Sequence, residues 1–190
     1  MKILALGTSN NRFSINRLLA AHAASLLPSA TVKTLDLNDF EMPLFSDERE
    51  QQLGIPVQAR RFYRLIGEAD ALVLSFAEHN GSYTAAYKNL FDWTSRINKA
   101  VFQDKPAVYL ATSPGPGGAA SVLAGALQSA GYYGARVVAS LSVPSFNENF
   151  DEDTGRISNP SIRQNLLSAM QLLHREVVQA ELSRARLRAL

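Results

Sequence analysis

Three stretches of this 190-residue chain gather glycine, hydroxyl and amide side chains into short runs. The first, G-T-S-N-N-R-F-S-I-N over residues 7–16, offers Thr8, Ser9, Asn10, Asn11, Ser14 and Asn16, one cation at Arg12, and no acid. Ser14 is a suitable helix N-cap, because its hydroxyl can accept from an unpaired amide of the first turn. Capping accounts for Ser14 but not for the whole acid-free run. Unpaired N–H groups and the helix dipole at such a position attract an anion, so the chemistry is that of a phosphate site. Neither G-x-x-x-x-G-K-[ST] nor G-x-G-x-x-G occurs there, and nucleotide sites built on those fingerprints are unsupported. The second stretch, A-E-H-N-G-S-Y-T over 77–84, puts Gly81 where backbone can approach a flat ring closely. The third, T-S-P-G-P-G-G-A-A-S over 112–121, reads either as a stiff turn or as a binding wall.

Composition removes several alternatives. With no cysteine there is no disulfide, thiolate metal site or thiol nucleophile. The three histidines, His22, His79 and His174, are dispersed, so no catalytic metal is expected. His79 is the one group in the three stretches that titrates near neutral pH. It reads either as a contact to a second substrate or as a side chain that fills the loop. A net charge of +2 argues for neither nucleic acid nor a membrane surface, while a pI near 9.0 permits anionic ligands. The opening M-K-I-L-A-L-G-T-S has too short an apolar stretch for a signal peptide, and no run approaches a membrane span. The expectation is a cytoplasmic protein. Asn80-Gly81-Ser82 fits the N-glycosylation pattern, which without a secretory signal is read as chance.

The elements that must position these stretches alternate from end to end. Short apolar runs predict strands over 3–6, 31–37, 71–76, 107–111 and 136–143. Helical spacing predicts helices over 14–27, 56–66, 83–97, 119–132 and from 162 to the C-terminus, and residues 38–54 read as a loop. The basic end, S-R-A-R-L-R-A-L, reads as a solvated helix end. Strands alternating with helices call for a parallel sheet with helices on both faces and right-handed crossovers. Five strands and about five helices predict a flavodoxin-like, doubly wound α/β fold of strand order 2-1-3-4-5, in a single domain over 1–190. Ligands of such folds bind beyond the carboxyl ends of the strands. All three stretches fall there, and P-S-F-N-E-N-F over 144–150 is a fourth candidate wall. A phosphate on the first loop and a planar group between the second and third have the shape of FMN.

The same residues resemble the NADPH-dependent FMN reductases, a flavodoxin-like family of quinone, chromate and azo-dye reductases. The pattern G-[ST]-S-x-x-x-x-S-x-N-x-x-L-A is present in Gly7, Thr8, Ser9, Ser14, Asn16, Leu19 and Ala20. E-H-N-G-S-Y-T-A-A-Y-K-N-L-F-D-W over 78–93 is similar to P-E-Y-N-G-S-x-x-A-x-K-N-x-x-D-W, and T-S-P-G-P-G-G-A-A to T-S-P-G-x-x-G-G-A. The resemblance implies that Ser9, Ser14 and Asn16 bind the FMN phosphate, with Asn11, Arg12 and Ile15 in the same loop. Asn11 stands where many members carry Arg, and Arg12 beside it is the candidate cation. Glu78, His79, Asn80 and Gly81 would line the isoalloxazine mainly through backbone, and Ser113, Pro114, Gly115 and Gly118 its other edge. Ala77 and His79 replace the usual Pro and Tyr.

The implied activity is hydride transfer from NADPH or NADH to flavin N5, then to a quinone, flavin, azo or metal-oxyanion acceptor, in a ping-pong sequence. No side chain need be catalytic; the backbone of Asn80 and Gly81 would face N5. The family further implies a homodimer or homotetramer, with the 83–97 helix in the interface and Tyr83 and Tyr87 as contacts. Lys88, Asn89, Asp92 and Trp93 read equally as packing and helix ion pairing. The alternative is a flavodoxin-like FMN electron carrier without its own NAD(P)H activity. Its usual acidic surface and T-x-T-G-x-T loop are absent here.

Overall fold

A computed structural model describes residues 1–188. Its centre is a five-stranded parallel sheet of β1 (Lys2–Gly7), β2 (Thr31–Leu35), β3 (Ala71–Phe76), β6 (Lys105–Thr112) and β7 (Ala135–Val143). The order is β2-β1-β3-β6-β7, which is the expected 2-1-3-4-5 arrangement. Two small hairpins stand apart from this sheet: β4 (Glu78–His79) with β5 (Ser82–Tyr83), and β8 (Phe150–Asp151) with β9 (Arg156–Ile157). A one-turn helix, α6 (Phe146–Asn149), precedes the second of them.

Alternation along β1 and β3 divides the core. Leu4, Leu6, Leu72, Leu74 and Phe76 face one layer, with α3 (Val57–Glu68), α4 (Ala85–Ser95) and α5 (Ala120–Ala130). Ile3, Ala5, Ala71 and Val73 face the other, with α1 (Ile15–Ser25) and α7 (Pro160–Arg188). Because both faces are covered, β1 and β3 read as unbroken apolar runs rather than alternating ones. The basic tail continues α7 as far as Arg188, and its last two residues lie outside the described residues.

Residues 38–54 are not simply a loop. Leu37–Phe40 forms a 3₁₀ turn whose cap Asp36 accepts from the Asn38 amide, and Asp47–Leu53 forms α2, with Ser46 accepting from Arg49 N–H at 3.2 Å. The Ser cap, the acids of the first turn and Gly54 after it were visible signals. Periodicity was silent because α2 buries none of its residues. Between these two elements the chain is held by α4. Asn89 accepts from Phe45 N–H and donates to Met42 and Pro43 carbonyls, and Trp93 Nε1 donates to Pro43 O at 2.7 Å. Lys88 and Asp92 form the i,i+4 ion pair of that helix. Tyr87, an expected interface contact, is instead 2% exposed, packed against Phe76 and Tyr83 in the core of its own chain. Its position, four residues before Phe91 and three before Leu90, puts it on the inward face of α4.

His22 on α1 is buried beneath the β8–β9 hairpin. Its Nε2 accepts from Ile157 N–H at 3.4 Å, and its ring meets Phe150 edge-on. Burial, then the Arg156 charge, hold its pKa below the usual imidazole value. A base whose folded pKa is depressed contributes stability that is complete above the unfolded value of about 6.5 and is lost as pH falls toward the folded value. Urea midpoints of the wild type should therefore drop between pH 7.5 and pH 5. His22→Gln should flatten that dependence.

Candidate functional site

Gly7 ends β1 directly against the first turn of α1. A Cβ there would lie 2.2 Å from Arg17 N and 2.5 Å from Arg17 Cα, so only glycine lets the helix start at this distance from the strand. Between them, residues 8–14 are preshaped by their own polar groups. Ser9 Oγ accepts from Asn11 N–H at 3.1 Å, Asn11 Oδ1 from Phe13 N–H at 2.8 Å, and Asn11 O from Ser14 N–H. Ser14 caps α1 by accepting from Arg17 N–H at 3.2 Å. The N–H groups of Ile15 and Asn16, in the first turn, have no intrahelical acceptor, and that turn carries no acid.

Loop two is a β-hairpin rather than a single turn. β4 pairs antiparallel with β5 across Asn80 and Gly81, at φ 52° and 77°. Positive φ at both central positions is a type I′ turn, for which Asn-Gly is the preferred pair. The Asn-Gly signal stood in the sequence. The Glu78 carboxylate has a structural role, accepting from Val122 N–H at 2.8 Å. It thus supplies the cap that Ala119, with φ +58°, cannot give to α5. Below the hairpin, burial raises the pKa of the Tyr83, Tyr87 and Tyr109 phenols, so they stay protonated and are no source of acid–base chemistry.

Loop three is buttressed from behind. Phe146 N–H donates to Ser113 O at 3.0 Å, Ser145 N–H to Gly115 O at 2.9 Å, and Ser142 Oγ to Gly118 O at 2.8 Å. A Cβ on Gly118 would meet Ser142 Oγ at 2.3 Å. The 144–150 segment, a candidate wall on sequence grounds, therefore backs loop three and does not line the cleft.

The three loops enclose one cleft of about 300 Å³. Of the expected site residues, Ser9, Asn11, Ser14, Ile15, Asn16, Glu78, His79, Ser113 and Pro114 line it together. Arg12, Asn80, Gly81, Gly115 and Gly118 stand in the same loops without lining it. Arg12 is exposed and forms no ion pair among the described residues; its carbonyl accepts from the Arg17 guanidinium, which is paired with Asp36. Phe13, Ala77 and Thr112 complete the lining and were not expected. Phe13 is 87% exposed at the mouth. Among the described residues no group of three or more His, Asp or Glu is arranged to hold a metal ion.

The buried polar groups joining the loops also escaped sequence reasoning. Thr8 is fully buried; its N–H donates to Ser75 O, its hydroxyl accepts from Ala77 N–H, and its carbonyl accepts from Thr84 Oγ1, the cap of α4. Asn16, 3% exposed, donates from Nδ2 to Thr112 O at 3.0 Å. Its Oδ1 accepts from Ser75 Oγ at 2.7 Å and from Thr112 N–H at 3.2 Å. The Asn16 carboxamide is thus committed to β3 and β6, leaving its backbone N–H for a ligand. Asn16→Ala would leave buried partners on Ser75 and Thr112 unsatisfied, at a cost of about 1–3 kcal/mol for each lost partner. Urea unfolding should show at least about 2 kcal/mol of destabilisation for Asn16→Ala, against a few tenths for Asn10→Ala on the exposed side of the loop.

Known proteins are similar to this chain in sequence and in fold. An NAD(P)H-dependent FMN reductase of Pseudomonas aeruginosa is 33% identical over 121 residues, 63% of this chain and 64% of its own length. A 2-hydroxy-1,4-benzoquinone reductase of a Burkholderia species is 35% identical over 122 residues, with the same shares of 63% and 64%. The chain thus spans just under two-thirds of the length of these curated relatives. Among solved structures, FerB of Paracoccus denitrificans, a flavoenzyme NAD(P)H:(acceptor) oxidoreductase, superposes with a TM-score of 0.77 over 94% of this chain and 97% of its own. At 21% identity that likeness speaks for the fold alone. The family profile described as NADPH-dependent FMN reductase matches residues 1–148. The chain belongs to the NADPH-dependent FMN reductase family.

Proposed function

We propose that the protein is an FMN-dependent NAD(P)H oxidoreductase, with residues 1–190 forming a single cytoplasmic flavin-binding unit. The observation that carries this reading is the convergence of three strand-end loops on one cleft with an acid-free helix N-terminus at one end. The residues present fit the cofactor. The free amides of Ile15 and Asn16 and the hydroxyls of Ser9 and Ser14 hold the phosphate, with Asn11 beside them and Arg12 adding charge from outside. Glu78 and His79 on one side, and Ser113 and Pro114 on the other, would bound the flat ring, with Asn80, Gly81, Gly115 and Gly118 shaping the loops that carry them. When bound, FMN supplies the redox chemistry, taking a hydride from NADPH or NADH and passing it to a quinone, flavin, azo or metal-oxyanion acceptor in ping-pong order.

The chain's own contribution is orientation and electrostatics. The type I′ turn at Asn80–Gly81 fixes the backbone of the hairpin that would face the reacting edge of the ring. The Ser113 and Gly115 N–H groups would stabilise negative charge on the reduced ring, since preorganised donors cost no reorganisation when charge develops. No side chain serves as an essential acid. Glu78 is engaged with α5. His79 is exposed at the cleft edge, either in reach of a second substrate or as a side chain that fills the loop. A homodimer or homotetramer is further supported by α2, which buries nothing within the chain, and by the exposed Leu44, Leu53 and Val57 beside it.

The test is a visible spectrum after incubation with FMN and removal of free flavin, followed by NADPH or NADH without oxygen. Retained flavin that bleaches is the expected result. Retained flavin that neither coenzyme bleaches would instead favour an electron carrier. Absence of retained flavin together with no turnover in excess FMN would overturn the reading. Light scattering should give two or four times the 20.7 kDa chain mass.

A further inference from the structure

His22 lies in the last turn of α1, the helix whose first turn stands at the cleft, and it holds the β8–β9 hairpin by two contacts. Nε2 accepts from Ile157 N–H on β9, and the ring meets Phe150 on β8 edge-on, with centroids 5.8 Å apart. Phe150 in turn stacks on the buried Phe146 at 4.6 Å. Phe146 N–H donates to Ser113 O, and Ser145 N–H before it donates to Gly115 O. Asn149 ties the same segment to the far end of the hairpin: its carbonyl accepts from Ser158 N–H, and its Oδ1 from Asn159 Nδ2. A continuous line of contacts therefore runs from His22 through the hairpin to loop three.

The link depends on a neutral imidazole. Protonation puts an N–H where Nε2 now accepts, so the Ile157 amide loses its acceptor and meets a donor. Burial, then the Arg156 charge on β9, disfavour the imidazolium and outweigh the last-turn carbonyls of α1, which favour it. The other charges of the neighbouring elements do not face the ring. Asp151, opposite Arg156, is bonded to Thr154. Glu152 and Asp153 in the hairpin turn and Arg163 on α7 are exposed, and the sheet and α7 present apolar side chains to this layer. The hairpin is the weaker partner: it has two residue pairs of its own, stands apart from the main sheet and exposes its turn, so its undocking spares the core.

We propose that His22 is an acid-sensitive latch: its protonation undocks the β8–β9 hairpin, slackens loop three and speeds release of the bound flavin. The inference rests on the flavin-binding reading above. Undocking should grow by up to about tenfold for each pH unit below the value of about 6.5 for a solvated imidazole. The first readout is flavin release from the FMN-loaded full chain, followed by fluorescence recovery after dilution. From pH 7.5 to pH 5 the rate should rise at least about tenfold in the wild type and less than about threefold in His22→Gln. The flavin phosphate titrates in the same range, and comparison with the variant removes its share. Arg156→Gln, a change at an exposed position, should give a smaller rise than the wild type. The second readout is amide hydrogen exchange of the flavin-free chain, corrected for intrinsic rates. The Ser145, Phe146 and Ile157 amides should open more often than those of Val73 and Val108 in the central strands, which mark global unfolding, and acid should widen that gap only when His22 is present. An equal rise in wild type and His22→Gln, or faster exchange in acid without faster release, would overturn the inference. So would Ser145 and Phe146 amides that stay at the level of the core throughout. If no flavin is retained, the oxidoreductase reading fails and the exchange data alone decide the latch.

Discussion

The arrangement of this molecule depends on one buried carboxamide. The parallel strands all end at the same edge, where their last carbonyls and amides lose ladder partners just as the chain must turn outward. Asn16 fills that gap between β3 and β6 with both ends of its side chain. An unpaired polar group in that position would cost its full desolvation, so the side chain fixes how deeply α1 sits against the sheet. Everything that faces the cleft is positioned relative to that helix start.

Gly7 and Thr8 act within the same constraint. The absence of a Cβ at Gly7 lets the helix backbone approach the strand end, and Thr8 then commits its three polar groups to β3, loop two and the α4 cap. Loop one is thereby anchored at both ends while the backbone amides of Ile15 and Asn16 stay free. A helix N-terminus is an anion site only if its amides are not consumed by capping, and here Ser14 takes one and leaves the others.

Loops two and three show the same division between groups that build and groups that bind. Glu78 is the only acid among the residues lining the cleft, and its bond to Val122 N–H engages that charge at the start of α5. The cleft thus has an acid-free helix start at one end and, at the other, an acid that serves as the cap of α5. Loop three owes its form to bonds from the segment after β7, which turns a glycine-rich run into a fixed wall. The loops are polar, yet little of their side-chain polarity is idle.

Much of this was legible in the sequence. The apolar runs 3–6 in β1 and 71–74 in β3 set the sheet, because burial on both faces leaves them without alternation. The acid-free 7–16 run marked one wall of the cleft through its residue types alone, and the spaced motifs over 7–20, 78–93 and 112–120 carried the family. Asn80-Gly81 even encoded its hairpin, through the positive φ that only such a pair adopts readily. Tertiary structure alone decided which polar side chains are left unengaged at the cleft. Asn16 and Glu78 have the types of binding residues, but their partners lie 96 and 44 positions away in the chain, and no local pattern reports them. The inward turn of Tyr87 was likewise set by packing, against Phe76 and Tyr83. Sequence determines which groups a segment can offer; the fold's need to satisfy every buried donor and acceptor determines which of them remain to be used.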